Sequence, residues 1–428
     1  MAQYLYALIL LGLAGVALFA SSRWFGHPFS PFGVFYGVWF VALSLFCAHW
    51  VEYIPLSLQT WALLAANMLA FGFGLLLAHM LCGPAKSIVS AEFARSSVSE
   101  EKFQKCIYAL FALGMVGAAN FLWTIQRSMG LATYLTSAPD IRDAMGLGDL
   151  SEGLKPLNWL NVANVVLCGF YLMILRGKRR KSIWAVLVLS LLVTLIMEDR
   201  QRFFYAVIWT SFVLAYSRKW TRREVLFAGS IVVVVLLVQF LGVATWLGKV
   251  TENNPALVAA ANVPEALHPL LMPYVYLTAN FPALQEYISS SPERTNGALT
   301  FYPVVRVAQL VDPTVKLPQV VGDFYAVPFE FNTFSWLYHF YTDFGIAGVV
   351  MGPWLVGLLS GLAYSRMRYS MSFYALYISG LLSFGFAFSC FTNQFAQGPM
   401  WFFLAAGALI AKYVQCRPTF QPSLHEPT

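Results

Sequence analysis

Charge is scarce in this chain. Asp, Glu, Lys and Arg make up only 11% of its 428 residues, whereas 59% are hydrophobic. A soluble domain carries about 25% charged residues. A water-soluble enzyme or binding module is therefore excluded, and a polytopic membrane protein is left. Nucleotide and metal-hydrolase signatures are missing too. There is no Walker A lysine, no G-x-G-x-x-G, no H-E-x-x-H and no EF-hand loop. No Ser-His-Asp set can be picked out by spacing. Cysteine is sparse: Cys47, Cys82, Cys106, Cys168, Cys390 and Cys416 are scattered, without a C-x-x-C pair. They read as packing residues, and neither a disulfide nor a metal or other cofactor is expected. No basic residue precedes the first apolar stretch, the first being Arg23 after it. That stretch is expected to be a retained span rather than a cleaved signal peptide.

What is present is a series of apolar runs, at about 3–20, 32–50, 60–82, 104–126, 158–175, 182–197, 203–217, 225–247, 345–364, 371–390 and 400–414. They are too long for barrel strands, so the expectation is an all-α polytopic membrane protein with about eleven transmembrane helices. The net charge of +7 is concentrated in short loops such as "RGKRRK" (176–181) and "SRKWTRRE" (217–224). That is the positive-inside pattern, and contact with anionic lipid accounts for it without nucleic acid. With those loops inside, the inner side holds 18 of the 27 basic residues and five of the 20 acids. The N-terminus is then outside and the C-terminus inside. Residues 1–428 form one integral membrane domain with two long outer loops, 128–157 and 248–344. Within the second, "LMPYVYLTANFPAL" (271–284) is apolar enough for short or re-entrant helices. Loops of this length are usually functional, so a site facing outward is expected.

One stretch stands out. "LIMEDRQRFFYAVIW" (195–209) places Glu198, Asp199, Arg200 and Arg202 between uncharged runs of sixteen and fifteen residues. A helix needs roughly 20 residues to cross a bilayer core, so these charges fall at or below the membrane surface. Ionisable groups there are costly and commonly functional; the alternative is a turn whose acids and arginines neutralise one another. The other polar features of the outer side are Arg127, "DIRD" (140–143) with Arg142, Arg294, Arg306, "GDFYAVPFEFN" (322–332) and "WLYHFYTDFG" (336–345). Arg127 also suits a headgroup-snorkelling role, and "DIRD" a solvated loop. His339 and Asp343 are four apart and share a helix face; with Trp336 and Tyr341 nearby, an amphipathic interfacial helix is the other reading.

Three segments carry a family resemblance: "YLTANFPALQEY" (276–287), "TFYPVVRVAQLV" (300–311) and "VPFEFNTFSWLYHFYTDFGIAGVVMGPWLVGLLSG" (327–361). The chain resembles the oligosaccharide repeat unit polymerases, the Wzy-type O-antigen and exopolysaccharide polymerases. Asn332, Thr333 and Phe334 match the start of the family pattern, and Tyr341, Asp343, Gly345 and Gly348 its Tyr-x-Asp-x-Gly segment. "EDRQR" occupies the charged mid-chain junction, although Glu198 and Asp199 stand where many members have a small residue before the arginine.

The resemblance implies a GT-C-like membrane glycosyltransferase of the bacterial inner membrane, with its active site facing the periplasm. Its substrates would be undecaprenyl-diphosphate-linked oligosaccharides, and a growing chain would pass to the non-reducing end of the next lipid-linked repeat. Besides the lipid bilayer, a chain-length regulator protein is the partner class left open; nucleic acid is not a partner. Arg200 and Arg306 would grip the diphosphates, because a guanidinium makes paired hydrogen bonds to phosphate oxygens. Arg202, Arg142 and Arg127 would assist, with Asn332 and Tyr341 on the substrate. Asp343, His339 or Asp199 would orient or deprotonate the acceptor hydroxyl. Two rival classes share the composition: an O-antigen ligase-type transferase acting on a lipid A core, and a polysaccharide or lipid transporter (flippase). Transporters commonly show repeated halves, and none is evident here.

Overall fold

The computed structural model describes residues 2–83, 98–128, 130–136, 154–196, 200–217, 220–246, 251–370 and 372–415. The chain is helical nearly throughout. Three helices open it: α1 (Ala2–Trp24), α2 (Pro31–Ala48) and α3 (Leu58–Cys82). Local chemistry marks their starts. Ser30 and Pro31 open α2, Ser30 Oγ accepting from Gly33 N, and Ser57 Oγ accepts from Thr60 N at 3.2 Å to cap α3. Then come α4 (Glu100–Ser128), the short α5 (Leu131–Thr136), α6 (Trp159–Phe170) and α7 (Arg180–Ile196). The next crossing is α8 (Arg200–Phe204), a π turn over Tyr205–Trp209, and α9 (Thr210–Ser217); α10 (Arg222–Trp246) follows.

Residues 251–336 contain short helices and one small hairpin: α11 (Pro255–Ala259), α12 (Leu271–Thr278), α13 (Asn280–Ser289), α14 (Tyr302–Val311), β1 (Tyr325–Ala326) and β2 (Glu330–Phe331). β1 and β2 are antiparallel, with Tyr325 opposite Phe331. The chain ends in α15 (Leu337–Ser370), α16 (Phe373–Ala387) and α17 (Gly398–Val414).

Seven of the described helices are long and apolar enough to cross a membrane, and two shorter apolar ones, α16 and α17, accompany them. Together with α7 and the interrupted α8–α9 stretch, they coincide with all eleven apolar runs of the sequence. This is an all-α, membrane-embedded chain. α10 is almost uncovered by the rest of the protein, with Phe227, Val233 and Val238 all exposed. Such a surface is stable against hydrocarbon and not against water.

Two cores hold the bundle. One joins α4, α6, α7, α8–α9, α16 and α17 around Phe103, Phe170, Trp209, Phe384 and Phe403. The other joins α2, α3, α12, α13 and the start of α15 around Phe35, Phe71, Phe281 and Trp336. α3 and α15 lie against each other closely enough that a Cβ on Gly74 would fall 2.1 Å from the Trp354 carbonyl. Lipid offers no hydrophobic drive between helices, so close backbone approach and dispersion contacts supply it. Phe395, in the turn between α16 and α17, packs against both cores and marks the seam between them.

Candidate functional site

α8 carries Arg202 into the protein. Arg202 is only 5% exposed, and its guanidinium lies over the Trp159 ring with Cζ 4.9 Å from the centroid. Trp159 in turn meets Tyr205 edge-on. The π turn starts at Tyr205, and such turns concentrate at functional sites. Tyr205 OH and Gln201 Nε2 both donate to Gln394 Oε1 at 2.9 Å. Of Arg200 only the backbone, as first residue of α8, belongs to the described structure. Glu198 and Asp199, and all of "DIRD" with Arg142, lie outside the described residues.

Gln394 belongs to a segment that the polar inventory of the sequence passed over. Residues 388–397, "FSCFTNQFAQ", turn from α16 into α17 within the fold, and Ser389, Cys390, Asn393 and Gln394 are buried. Ser389 Oγ accepts from Trp39 Nε1 at 2.8 Å, and its carbonyl accepts from Trp336 N at 2.9 Å. The Cys390 carbonyl accepts from Asn280 Nδ2. This turn therefore binds α8 on one side and α13 and the start of α15 on the other. The clue in the sequence was Thr392-Asn393-Gln394, three polar residues between two apolar runs.

Beyond the seam lies "WLYHFYTDFG". The helix begins at Leu337, so the last residues of the 248–344 loop are helical, and residues 334–343 are buried. They do not form an interfacial amphipathic helix. Their neighbours are protein: Trp336 Nε1 donates to Asn67 Oδ1 at 2.9 Å, and Tyr287 OH shares a 2.5 Å hydrogen bond with Thr342 Oγ1. The helical path breaks at Gly345, whose φ of 63° and ψ of −144° suit glycine alone.

At this break Asp343 is fully occupied. One oxygen accepts from the Thr295 hydroxyl and from Leu299 N at 3.1 Å; the other accepts from Thr300 N at 2.6 Å. Arg294 donates to the Tyr341 carbonyl and lies over the Tyr341 ring, Cζ 4.6 Å from its centroid. Asp343 and Arg294 thus fasten the 294–300 turn to the end of the short helix 337–344. His339 is as buried as Asp343 but differently placed: among the described residues its Nδ1 has no hydrogen-bond partner.

The remaining sequence candidates are dispersed. Arg127 is exposed at the end of α4, over the Trp123 ring at 4.9 Å. Asn332 is half-buried just after β2. Arg306 is exposed on α14 and hydrogen-bonds Gln309 at 2.5 Å. α14 has no buried residue, and Val307, Leu310 and Val311 line one exposed apolar face. Arg202 lies on α8, which reaches the seam turn through Gln201 and Tyr205, and the helix carrying His339, Tyr341 and Asp343 reaches the same turn only at its start, through Trp336; Arg306 and Arg127 are exposed on other elements. No known protein family, curated protein or solved structure matches this chain.

Proposed function

We propose that the chain is a GT-C-like glycosyltransferase crossing the inner membrane about eleven times and polymerising undecaprenyl-diphosphate-linked oligosaccharide repeats on the periplasmic face. The observation that carries this reading is Arg202: a cation stacked on Trp159, buried at the interruption of two apolar helices, beside the polar seam turn that leads to His339. In the reaction proposed, an acceptor sugar hydroxyl attacks the anomeric carbon of the growing chain. The carbon–oxygen bond to the lipid diphosphate breaks, and its electron pair leaves with the diphosphate. Arg202, with Arg200 beside it in sequence, stabilises that developing charge, and a guanidinium fixed in a low-dielectric site does so without reorganisation. The hydroxyl proton passes to a base. His339, buried with Nδ1 unpaired among the described residues, suits that task better than Asp343, whose oxygens are committed to the 294–300 turn. Asp343 is then a positioning residue.

The test is to incubate purified protein with lipid-diphosphate-linked repeat units and size the products. Longer chains on the lipid carrier are expected; transfer to a lipid A core alone would make it a ligase. Arg202→Lys keeps the charge and loses the fork geometry. It should accumulate normally in the membrane yet polymerise roughly a hundredfold more slowly. Wild-type chain lengths from Arg202→Lys would remove the diphosphate role.

A further inference from the structure

A second feature lies at the opposite end of the bundle, independent of any polymer-forming reaction. The ends of α1, α3 and α15 enclose a cavity of about 230 Å³. Its lining includes Arg23, Phe25, His79, Tyr364, Ser365 and Arg368, and among the described residues no Asp or Glu faces it. Two guanidinium groups around one concavity repel each other without a counter-charge, and the His79 ring beside them adds a further polar group. Arg368 is the most committed of them. Its Nη1 donates to the Phe25 carbonyl, while its Nε is buried with no hydrogen-bond partner among the described residues. Tyr364 OH donates to the same carbonyl at 3.2 Å. Arg368 is thereby held in place with a donor left over, next to a Ser365 hydroxyl that is itself buried. A buried, unsatisfied guanidinium N–H is costly unless something accepts from it.

The surroundings say what kind of acceptor fits. Trp24, at the rim, is 60% exposed, and Phe19 toward the same end of α1 and Met80 and Leu81 at the end of α3 are more exposed still. An apolar, outward-facing wall below a basic, hydroxyl-bearing cup matches a lipid, with its acyl chains along the helices and its headgroup in the cavity. Indole rings favour that same depth in a bilayer. Phosphate is the headgroup anion whose several oxygens can accept from arginine, imidazole and hydroxyl at once.

We propose that this cavity binds a phosphate group presented by an anionic membrane lipid. The basic ends of α1, α3 and α15 would thereby be cemented together by the lipid, which acts as a structural ligand.

The full chain, purified in a neutral detergent, is titrated with phosphatidylglycerol, phosphatidylcholine and inorganic phosphate, and bound molecules are counted by native mass spectrometry. Arg368 supports the backbone at Phe25, so its removal risks the fold. Arg23→Gln and His79→Gln alter the cup without removing a hydrogen bond that holds the protein together. The expected result is one tightly held phosphatidylglycerol, preferred over phosphatidylcholine, with affinity lowered about tenfold in each variant. Competition by millimolar inorganic phosphate would show that the phosphate group itself is recognised. Inorganic phosphate binding alone, with no lipid retained, would overturn the lipid assignment. Equal retention of both lipids, unchanged in Arg23→Gln and His79→Gln, would overturn the site.

Discussion

Asp343 and His339 sit four residues apart on one short helix, yet their surroundings give them different work. Asp343 accepts from two backbone N–H groups and a hydroxyl in the 294–300 turn. Asp343→Asn would point an amide N–H₂ at one of those donors, and should cost about 1–3 kcal/mol of stability. Thermal unfolding in detergent reads this directly. His339→Gln should leave the melting temperature and membrane abundance unchanged while slowing polymerisation about a hundredfold. If the two variants exchanged these phenotypes, the assignment of roles would be reversed. A third residue responds to pH. His27, in the turn between α1 and α2, accepts from Phe29 N through Nδ1 and therefore donates through Nε2 to the Ala215 carbonyl, at 3.2 Å. Burial and the neighbouring Arg368 guanidinium push its pKa from 6.5 down to about 4, against a smaller upward pull from that carbonyl. Protonation would turn Nδ1 into a donor facing the Phe29 N–H. The unfolded chain binds the proton more readily, so this contribution is complete above pH 6.5 and is lost as pH falls toward 4. Unfolding free energies of the wild type and His27→Gln, compared across that range, should diverge by about 3 kcal/mol.

At the scale of the element, the break in α15 is the decisive irregularity. A continuous helix would carry residues 337–344 straight on; the turn at Gly345 instead leaves the Tyr341 and Thr342 carbonyls free to receive Arg294 and Thr295 N. Gly345→Ala puts an L-residue at φ 63° and a Cβ 2.9 Å from Arg294 Nη2. It should destabilise the protein by about 1–3 kcal/mol and disturb the 294–300 turn. Protease sensitivity of that turn in the Gly345→Ala variant would reveal the change, and an unaltered cleavage pattern would show that the break is not what anchors it. α14 is the contrasting case. Its apolar face of Val307, Leu310 and Val311 stays exposed among the described residues, as suits a helix lying in a membrane interface.

For the molecule as a whole, the two cores meet at the 388–397 turn, which holds α8 through Gln394 and the start of the 337–344 helix through Ser389. Its orientation in the membrane rests on the distribution of Lys and Arg. Reporter tags at residues 90 and 180 should read cytoplasmic, and tags at 150 and 290 periplasmic. A cytoplasmic reading at 290 would place the seam on the wrong side for a lipid-linked periplasmic substrate and would remove the polymerase reading with it.

The sequence by itself determined the class of protein. Scarce charge and long apolar runs leave helices in lipid as the only way to satisfy the backbone, and those runs coincide with the helices found. It also marked the charged mid-chain junction, with Arg200 ranked ahead of Arg202, because charges between two short apolar runs are legible in one dimension, and it marked the Tyr341-Asp343-Gly345 segment. Only the tertiary structure decided which of these residues share a place. Gln394 lies nearly two hundred residues from both Gln201 and Tyr205, and no periodicity or spacing encodes their meeting. Nor could sequence separate Asp343 from His339. Both lie on one helix face, and the difference is made by the 294–300 turn, which occupies the carboxylate and leaves Nδ1 of the imidazole unpaired. Burial, partner and direction are properties of packing between distant segments; composition and pattern record only that a polar group is present.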